Sequence, residues 1–332
     1  MSCLDYCTAV FGRLRLPSKE DKMRTLKEHQ YHRSLDEFLR RCDQEQVMLK
    51  WIQNNFSRVL DKIPSSLNGE TTRFIGVGCG NGIMDVEMLK KASELHPRLH
   101  NIGIDPNGDA LGVFKERVQT EPRLDNVNIE WTQETAEKYQ NVPPKSFTKE
   151  APRSHFIHML HMLYHVSSIE GAIQKYYDML VEGGVMLISL ASRSNNQLYN
   201  TFKKFETLQS NQTNSSPIER NDKRYSDDVI AVLEKLGFEY SVESVEYRLD
   251  VSGCLERKTE GGKLLLDFVC LTNAAQSYET LSEENQRVLI DCLKESCTST
   301  EDGKNHVKLT FDIITVVKSL EGAIKEQVNG IK

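Results

Sequence analysis

Apolar residues near the start of the chain recur every three or four positions, which predicts amphipathic helices between residues 24 and 62. The polar residues Gln44 and Glu45 interrupt this register. The simpler interpretation is a pair of helices with one solvated face, and the functional interpretation is a helical lid over a binding site. The apolar positions that carry the spacing are Leu35, Phe38, Leu39, Val47, Met48, Trp51 and Ile52.

From residue 73 onward, short apolar runs alternate with helical patterns, which is typical of βαβ units and a parallel sheet. Right-handed crossovers would place the helices on both faces of that sheet. The expected strands are 74–77, 101–104, 127–131, 156–160 and 184–190, and the expected helices are 85–95, 110–118 and 169–181.

The pattern changes after residue 192, where segments rich in Ser, Asn, Gln and Thr predict loops at 194–196 and 209–216. No internal repeat is visible, and residues 319–332 are interpreted as a frayed tail or a terminal helix. The elements expected in this part are a helix over 225–236, a strand over 241–251, a helix over 281–293 and a strand over 307–317.

The composition narrows the class of protein. The 332 residues are 39% hydrophobic and 27% charged, which excludes collagen-like, low-complexity and wholly disordered chains. No apolar run reaches the ~20 residues that a membrane-spanning helix needs. The net charge is −6, whereas a dedicated nucleic-acid binder is usually basic. We therefore expect neither a membrane nor a nucleic-acid partner.

The cysteines and the first residues bear on the cellular compartment. The eight cysteines form no Cys-x-x-Cys pair, so we expect reduced thiols in a cytoplasmic protein rather than a zinc site or a disulfide framework. No basic segment precedes the apolar part of residues 1–17, which disfavours a signal peptide, and a mitochondrial presequence is the alternative. The start lies at Met1 or at an internal Met23, and residues 1–23 are interpreted as an N-terminal extension.

A glycine-rich turn is the strongest chemical motif in the chain. Gly78, Gly80 and Gly82 follow the first expected strand and open a helix, where the absence of side chains allows a ligand to approach the backbone. Unsatisfied N–H groups at the helix N-terminus would add to this site. The spacing is not that of a dinucleotide fingerprint, because Ile83 stands where its third glycine would be. No Lys-Ser/Thr pair follows, so a P-loop is excluded.

An acidic residue completes the motif. Asp105 ends the second expected strand, where a carboxylate can accept hydrogen bonds from both hydroxyls of a ribose. A glycine-rich turn after the first strand and an acid after the second, in this order, resemble class I S-adenosylmethionine-dependent methyltransferases. The alternative is a tight turn in an unrelated α/β fold.

The resemblance implies an α/β fold with a Rossmann-like seven-stranded methyltransferase sheet, helices on both faces and an α-rich N-terminal lid. The last strand would be antiparallel, a role for residues 307–317. It also implies S-adenosyl-L-methionine as cofactor, with contacts from Ala110, where the family has Gln, from Thr135 and Ala136, and from Leu160. The domain would cover 24–318, with a lid over 24–70, a cofactor-binding half over 71–192 and substrate-side insertions over 193–318.

The segment His155–Val166, HFIHMLHMLYHV, resembles the corresponding part of histamine N-methyltransferase and its close relatives. The similarity covers about residues 24–318, with gaps near 141–153 and 206–224. In that family a Glu, a Gln and an Asn hold the substrate, and these fall at Gln44 beside Glu45, at His161 and at Asp312. Of the aromatic cage, Tyr164 is retained, His165 replaces a Tyr, and Leu198 and Phe202 stand where Trp is usual, with Tyr199 available to compensate.

The expected function is therefore N-methylation of a small amine or imidazole compound, histamine-like, by direct in-line transfer in a monomeric enzyme. His161 would accept a proton or orient an imidazole, or it would be an ordinary interior histidine. The alternatives are a carnosine-type or other small-molecule methyltransferase, a protein-substrate methyltransferase and a non-catalytic relative. The four histidines of the segment at 155–165 lack the H-E-x-x-H pattern, so no metal is expected.

Overall fold

A computed structural model describes residues 33–63, 71–139, 153–212, 224–256, 259–274, 278–301 and 303–319. The chain divides into two units, which are described separately. Unit 1 takes in Met1–Val47, Ala191–Tyr225 and Val245–Phe311, and unit 2 takes in Met48–Leu190, Ser226–Ser244 and Asp312–Lys332. The expected extension over 1–23, the segment 24–32 and residues 320–332 lie outside the described residues.

The strands form one mainly parallel sheet. They are β1 (Thr72–Val77), β2 (Leu99–Ile104), β3 (Asn128–Thr132), β4 (Ser154–Leu160), β5 (Leu180–Ala191), β6 (Glu239–Asp250), β7 (Thr298–Ser299) and β8 (Asn305–Val317). Their order is β3-β2-β1-β4-β5-β8-β6, with β7 paired to β8. Strands β1 to β5 pair in parallel. Hydrogen bonds of 2.8 Å from Gly183 N to Lys318 O and from Lys318 N to Gly184 O show that β8 is antiparallel to β5. The predicted α/β sheet and its antiparallel last strand are confirmed. The sheet has eight strands and not the seven expected, because the two-residue strand β7 also pairs with β8.

The helices are α1 over 33–41, α2 (Gln44–Leu60), α3 (Ile83–Leu95), α4 (Gly108–Gln119), α5 (Ile169–Asp178), α6 (Gln197–Gln212), α7 (Ser226–Leu236), α8 (Ser252–Glu256), α9 (Glu260–Ala274) and α10 (Glu283–Ser296). Single 3₁₀ turns lie at Pro122–Leu124, Leu163–His165 and Tyr278–Thr280. Among the described elements no helix is long and apolar enough to cross a bilayer.

Several sequence-based boundaries were wrong. The helix expected over 169–181 ends at Asp178, because β5 begins at Leu180. The loop expected over 209–216 is helical as far as Gln212, and helices α8 and α9 were not predicted. Helix α6 was not predicted, because its sequence is rich in polar residues. Its buried positions nevertheless have helical spacing, and they are Leu198, Thr201, Phe202 and Phe205.

The interrupted register near residue 44 marks the start of a helix. Residues 42 and 43 separate α1 from α2, and in unit 1 Cys42 forms an isolated antiparallel bridge with Leu249. The backbone N–H of Arg248 donates to Asp43 Oδ1 over 2.6 Å. Gln44 and Glu45 are therefore the first residues of α2, where polar side chains are common, and they do not break an apolar stripe.

Unit 2 has apolar layers on both faces of its strands. On one face, α5 and α7 pack Ile173, Tyr176, Val229 and Leu233 into the cluster that includes Ile157 of β4. On the other face, the ring of Phe56 from α2 meets Phe156 edge-on at 5.4 Å. Because β1, β4 and β5 are covered on both faces, most of their residues are buried and their sequences are mainly apolar, without a regular alternation of polar and apolar positions.

Unit 1 is held by an ionic group and an aromatic contact. Glu37 of α1 accepts from Arg40 over 2.7 Å and also pairs with Arg41, which lies 4.0 Å from Asp250. The ring of Phe38 lies 4.6 Å from that of Phe268 in α9. These contacts anchor α1 to other elements of its own unit.

Two glycines with the same left-handed backbone offer a test of the packing in unit 2. A Cβ at Gly82 (φ +70°) would lie 2.0 Å from Phe114 Cδ2, whereas a Cβ at Gly237 (φ +68°) would meet nothing within 4 Å. We expect Gly237→Ala to lower the free energy of unfolding by about 1–2 kcal/mol, the left-handed cost alone. Overpacking adds about 1–3 kcal/mol to this for Gly82→Ala. Urea unfolding of both variants measures the difference, and equal losses would contradict the assigned packing.

Candidate active site

The glycine-rich turn joins β1 to α3 in a left-handed backbone conformation. Gly78, Gly80 and Gly82 have φ values of +66°, +54° and +70°, which glycine adopts at little cost. A Cβ at Gly78 would lie 2.6 Å from Met162 Cβ. Glycine at 78 and 82 is therefore required by the protein's own packing as well as by its backbone.

The N–H groups of this turn already have acceptors within the protein. Gly78 N donates to Ile104 O over 2.8 Å, and Gly80 N donates to Asp105 Oδ2 over 2.9 Å. Ile83 N, at the start of α3, donates to Asn81 Oδ1 over 3.2 Å. The expectation of unsatisfied donors was wrong at these positions, because β2 and the turn itself supply the acceptors. The turn can therefore contribute to a ligand site through its shape, because a ligand can approach the glycine backbone closely.

Asp105 lies at the carboxyl end of β2 and is 3% exposed. Its Oδ2 accepts from Gly80 N and its Oδ1 accepts from Asn107 N, both over 2.9 Å. Burial raises the pKa of this carboxyl above its ordinary value, and the two N–H donors oppose the shift. Each carboxylate oxygen has a second lone pair, so the group can still accept hydrogen bonds from two hydroxyls.

Asn107 fixes the start of α4 directly after Asp105. Its side chain accepts from Asp109 N over 3.0 Å and from Ala110 N over 3.1 Å, which is an N-cap. Ala110 is thereby buried in the first turn of α4, at 1% exposure. Sequence reasoning missed Asn107, although an Asn ahead of the expected helix was a usable capping signal.

His161 follows β4 in a strained backbone conformation, with φ +50°. Such a conformation in a residue other than glycine often marks a functional position. Its N–H donates to Ser189 O over 2.9 Å, and its Nε2 lies 3.3 Å from Ser189 Oγ. Desolvation lowers the pKa of His161 to about 4, so its ring is neutral at physiological pH. The ring of Tyr164 lies 6.5 Å away and nearly parallel.

The segment after β4 packs onto the glycine-rich turn within unit 2. Met162 fills the space beside Gly78, and Ala136 belongs to the same buried cluster as Val77 and Met162. His165 keeps an exposed edge, and neighbouring protein lowers its pKa by desolvation while the charge of Asp105 opposes that shift. The structure thus places the turn, Asp105, the 134–137 loop and the segment after β4 at one edge of the sheet.

Comparison with known proteins places this arrangement in a family. A family model described as a methyltransferase domain matches residues 28–241. The chain belongs to the methyltransferase domain family. Its cofactor is therefore S-adenosyl-L-methionine. The chain is an N-methyltransferase that acts on small molecules.

Individual relatives resemble this methyltransferase over most of its length. Histamine N-methyltransferase of Danio rerio is 28% identical over 295 residues, which is 86% of this chain and 94% of the relative. Histamine N-methyltransferase of Cavia porcellus is 28% identical over 247 residues, 73% of this chain and 80% of the relative. Carnosine N-methyltransferase 2 of Gallus gallus is 29% identical over 289 residues, 85% of this chain and 84% of the relative. The chain is a histamine N-methyltransferase-like member of its family.

The predicted substrate residues of this methyltransferase divide between the units. Gln44, Glu45 and Phe202 belong to unit 1, where Phe202 is buried and meets Phe205 edge-on at 6.2 Å. His161 and Tyr164 belong to unit 2. The roles of all five toward a substrate stay predictions.

Asp312, the sixth predicted substrate residue, has structural partners in unit 2. Its Oδ2 accepts from Ser226 Oγ and its Oδ1 accepts from Ser244 Oγ, both over 2.6 Å. These bonds join β8 to the start of α7 and to β6. The two serine donors account for the hydrogen bonds of Asp312 within the protein. Its role toward an amine substrate stays a prediction.

Two other histidines of the methyltransferase have structural partners. His158 Nε2 lies 3.0 Å from Asp85 Oδ1, and both side chains are buried beneath Gly76. His155 Nδ1 accepts from Arg73 N over 3.2 Å. Within the described ranges, no group of three or more His, Cys, Asp or Glu is arranged to hold a metal ion. Sequence reasoning missed the Asp85–His158 pair, because no local spacing signals a contact between α3 and β4.

Asp105 provides the test of this site. We expect Asp105→Asn to weaken S-adenosyl-L-methionine binding by roughly 10- to 150-fold, because hydrogen bonds to a charged group contribute about 1.5–3 kcal/mol. Since burial raises the pKa of Asp105, wild-type binding should weaken on acidification at a higher pH than an exposed aspartate would give, whereas the variant should lose this dependence. Titration calorimetry across pH measures both. Asp109→Asn, an exposed change in the next helix, is the control, and equal affinities of the two variants would contradict the assignment.

Proposed function

We propose that this protein transfers a methyl group from S-adenosyl-L-methionine to a nitrogen of a small imidazole or amine compound, histamine-like in its chemistry. The observation that carries this proposal is the ring of His161, nearly parallel to that of Tyr164, on the segment that packs over the glycine-rich turn. Desolvation lowers the pKa of His161 to about 4, which favours the neutral ring. An uncharged ring with two nitrogens can pair with an imidazole or amine nitrogen of a substrate. The histamine and carnosine N-methyltransferases among the relatives support the same substrate class.

The residues around the turn fit the cofactor. Asp105 would hold the ribose hydroxyls, Gly78, Gly80 and Gly82 would allow the amino-acid part to approach the backbone, and Leu160 would border that part. Thr135 and Ala136 would border the adenine, with Ala110 as a buried, apolar neighbour in α4. When bound, S-adenosyl-L-methionine supplies an electrophilic methyl group on a positively charged sulfur.

The protein's own task is alignment. In-line transfer needs a neutral acceptor nitrogen held about 3–3.5 Å from the methyl carbon in a site that excludes water. His161 is neutral at physiological pH, so it orients the substrate by hydrogen bonding and does not repel a cationic substrate. The face of Tyr164 adds a wall that attracts positive charge.

The remaining substrate assignments rest on family resemblance alone. Gln44 stands where the family has a Glu, and Glu45 offers a carboxylate one residue further on. Asp312 and Phe202 are proposed on the same basis. A carboxylate facing an ammonium group gains a charge-assisted hydrogen bond of about 1.5–3 kcal/mol, which would favour a cationic amine.

A carnosine-type substrate is the second candidate function. Carnosine N-methyltransferase 2 of Gallus gallus matches 85% of this chain, and histamine N-methyltransferase of Danio rerio matches 86%. His161 departs from the family's Gln at the position that contacts histamine, and this change favours a different imidazole compound. Both candidates share the cofactor and the direct transfer.

The first experiment is calorimetric titration with S-adenosyl-L-methionine, followed by methyl-transfer assays on histamine, carnosine, histidine and other biogenic amines. We expect micromolar binding, and turnover of at least one imidazole compound in preference to the aliphatic amines. Binding without turnover of any compound in the panel would contradict the proposed substrate class. Absence of binding would contradict the assigned cofactor site.

His161 gives a sharper test on whichever substrate is turned over. We expect His161→Ala to lower kcat/KM roughly 5- to 150-fold through a lost hydrogen bond of about 1–3 kcal/mol, with cofactor affinity unchanged. Because the pKa of His161 is lowered to about 4, the ratio of wild-type to variant activity should stay constant between pH 6 and 8. His96→Ala is the control, because it also removes a histidine ring. The ring of His96 contacts Thr72, the first residue of β1, at the opposite end of that strand from the glycine-rich turn. A ratio that changes with an ordinary histidine pKa would contradict a neutral role.

A further inference from the structure

Two neighbouring side chains of α5 hold the backbone of the loop after β3. The carbonyl oxygen of Ala136 accepts from the Tyr176 hydroxyl over 2.9 Å and from Lys175 Nζ over 3.0 Å. Lys175 Nζ also donates to the carbonyl oxygen of Glu137 over 2.9 Å. Two consecutive loop carbonyls are thus fixed by one helix, and one of them has two side-chain donors.

These donors lie in a desolvated environment. Tyr176 is fully buried, and burial raises the pKa of its hydroxyl. Lys175 is partly buried, its ammonium lies 5.6 Å from the centre of the Tyr176 ring, and desolvation lowers its pKa. Hydrogen bonds in such surroundings are strong, and a carbonyl that loses its donor there is costly to leave unpaired. These hydrogen bonds therefore restrain the loop backbone at residues 136 and 137.

The far side of the same loop is tied to the segment that follows His165. Glu137 Oε1 accepts from Ser167 N over 2.8 Å, and Thr135 Oγ1 accepts from Lys138 N over 3.3 Å. The loop is therefore held from α5 at its carbonyls and from the segment after β4 at its carboxylate. Within the loop, Ala136 is buried and Thr135 is partly buried.

We propose that Lys175 and Tyr176 are positioning residues for the cofactor: they fix the 134–137 loop in place and thereby set the affinity for the adenosine part of S-adenosyl-L-methionine. This inference rests on the proposed function, because it takes Thr135 and Ala136 as the adenine contact. Neither side chain needs to touch the cofactor. A loop ordered before binding loses less conformational freedom when the ligand arrives, so the effect is expressed in affinity.

The test compares Tyr176→Phe, Lys175→Met and the double variant with Tyr177→Phe. Tyr177 is the adjacent residue of α5, and its ring stacks on that of Phe238 at 3.6 Å. Dissociation constants are measured by calorimetry for S-adenosyl-L-methionine and for 5′-methylthioadenosine, which has the adenine and ribose but no amino-acid part. Thermal unfolding and kcat at saturating cofactor are recorded for each variant.

Tyr176→Phe loses one buried hydrogen bond, and Lys175→Met loses one part-buried and one exposed hydrogen bond. We expect each variant to weaken the binding of both ligands by about threefold to tenfold. The double variant should lose more, kcat at saturating cofactor should change less than twofold, and Lys175→Arg should recover most of the affinity. Tyr177→Phe should bind as wild type.

Other outcomes overturn the inference. Unchanged affinity in the double variant would show that the loop position does not depend on α5. A lowered unfolding temperature with unchanged affinity would show a purely structural role, and a loss for S-adenosyl-L-methionine but not for 5′-methylthioadenosine would place the effect at the amino-acid end. Failure of the wild-type protein to bind either ligand would instead contradict the proposed function itself.

Discussion

The left-handed backbone between β1 and α3 is the constraint on which the site depends. Glycines at 78 and 82 allow Met162 and Phe114 to pack against the turn from two sides. Because Gly78 N and Gly80 N donate to Ile104 O and Asp105 Oδ2, the same turn also fixes the end of β2 and the orientation of its carboxylate. A substitution in the turn would therefore disturb the neighbouring strand and the segment after β4 together with the ligand surface.

The parts of the fold that could be predicted are those whose signal is local. Alternating apolar runs and helical patterns indicated the parallel sheet. The glycine-rich turn followed by Asp105 resembled the methyltransferase family, and that resemblance implied the cofactor. Helix α6 was not predicted, because the buried positions described in it are separated by the exposed polar residues Asn200, Lys203, Lys204 and Thr207. The donors Lys175 and Tyr176 follow Ala136 by about 40 residues and face it only after the sheet has formed. No pattern in the sequence signals a contact at that distance.

The site also shows how a pattern can indicate a residue for the wrong physical reason. The turn was expected to offer unsatisfied N–H groups, but those at 78, 80 and 83 are bonded within the protein. The interruption at Gln44 was interpreted within one apolar register, but it marks the boundary between two helices. His161 departs from its family's residue, but its left-handed backbone and the desolvation that lowers the pKa of its ring to about 4 depend on the three-dimensional structure.

The buried pair of Asp85 and His158 has a consequence for how this chain can evolve. A Cβ at Gly76 would lie 2.3 Å from Asp85 Oδ1 and 2.7 Å from His158 Nε2, so the pair exists only because position 76 has no side chain. Loss of either partner would leave a polar group buried without its counterpart. The three positions are therefore bound by epistasis: none of them can drift alone, and a descendant with alanine at 76 would have to replace both members of the pair as well.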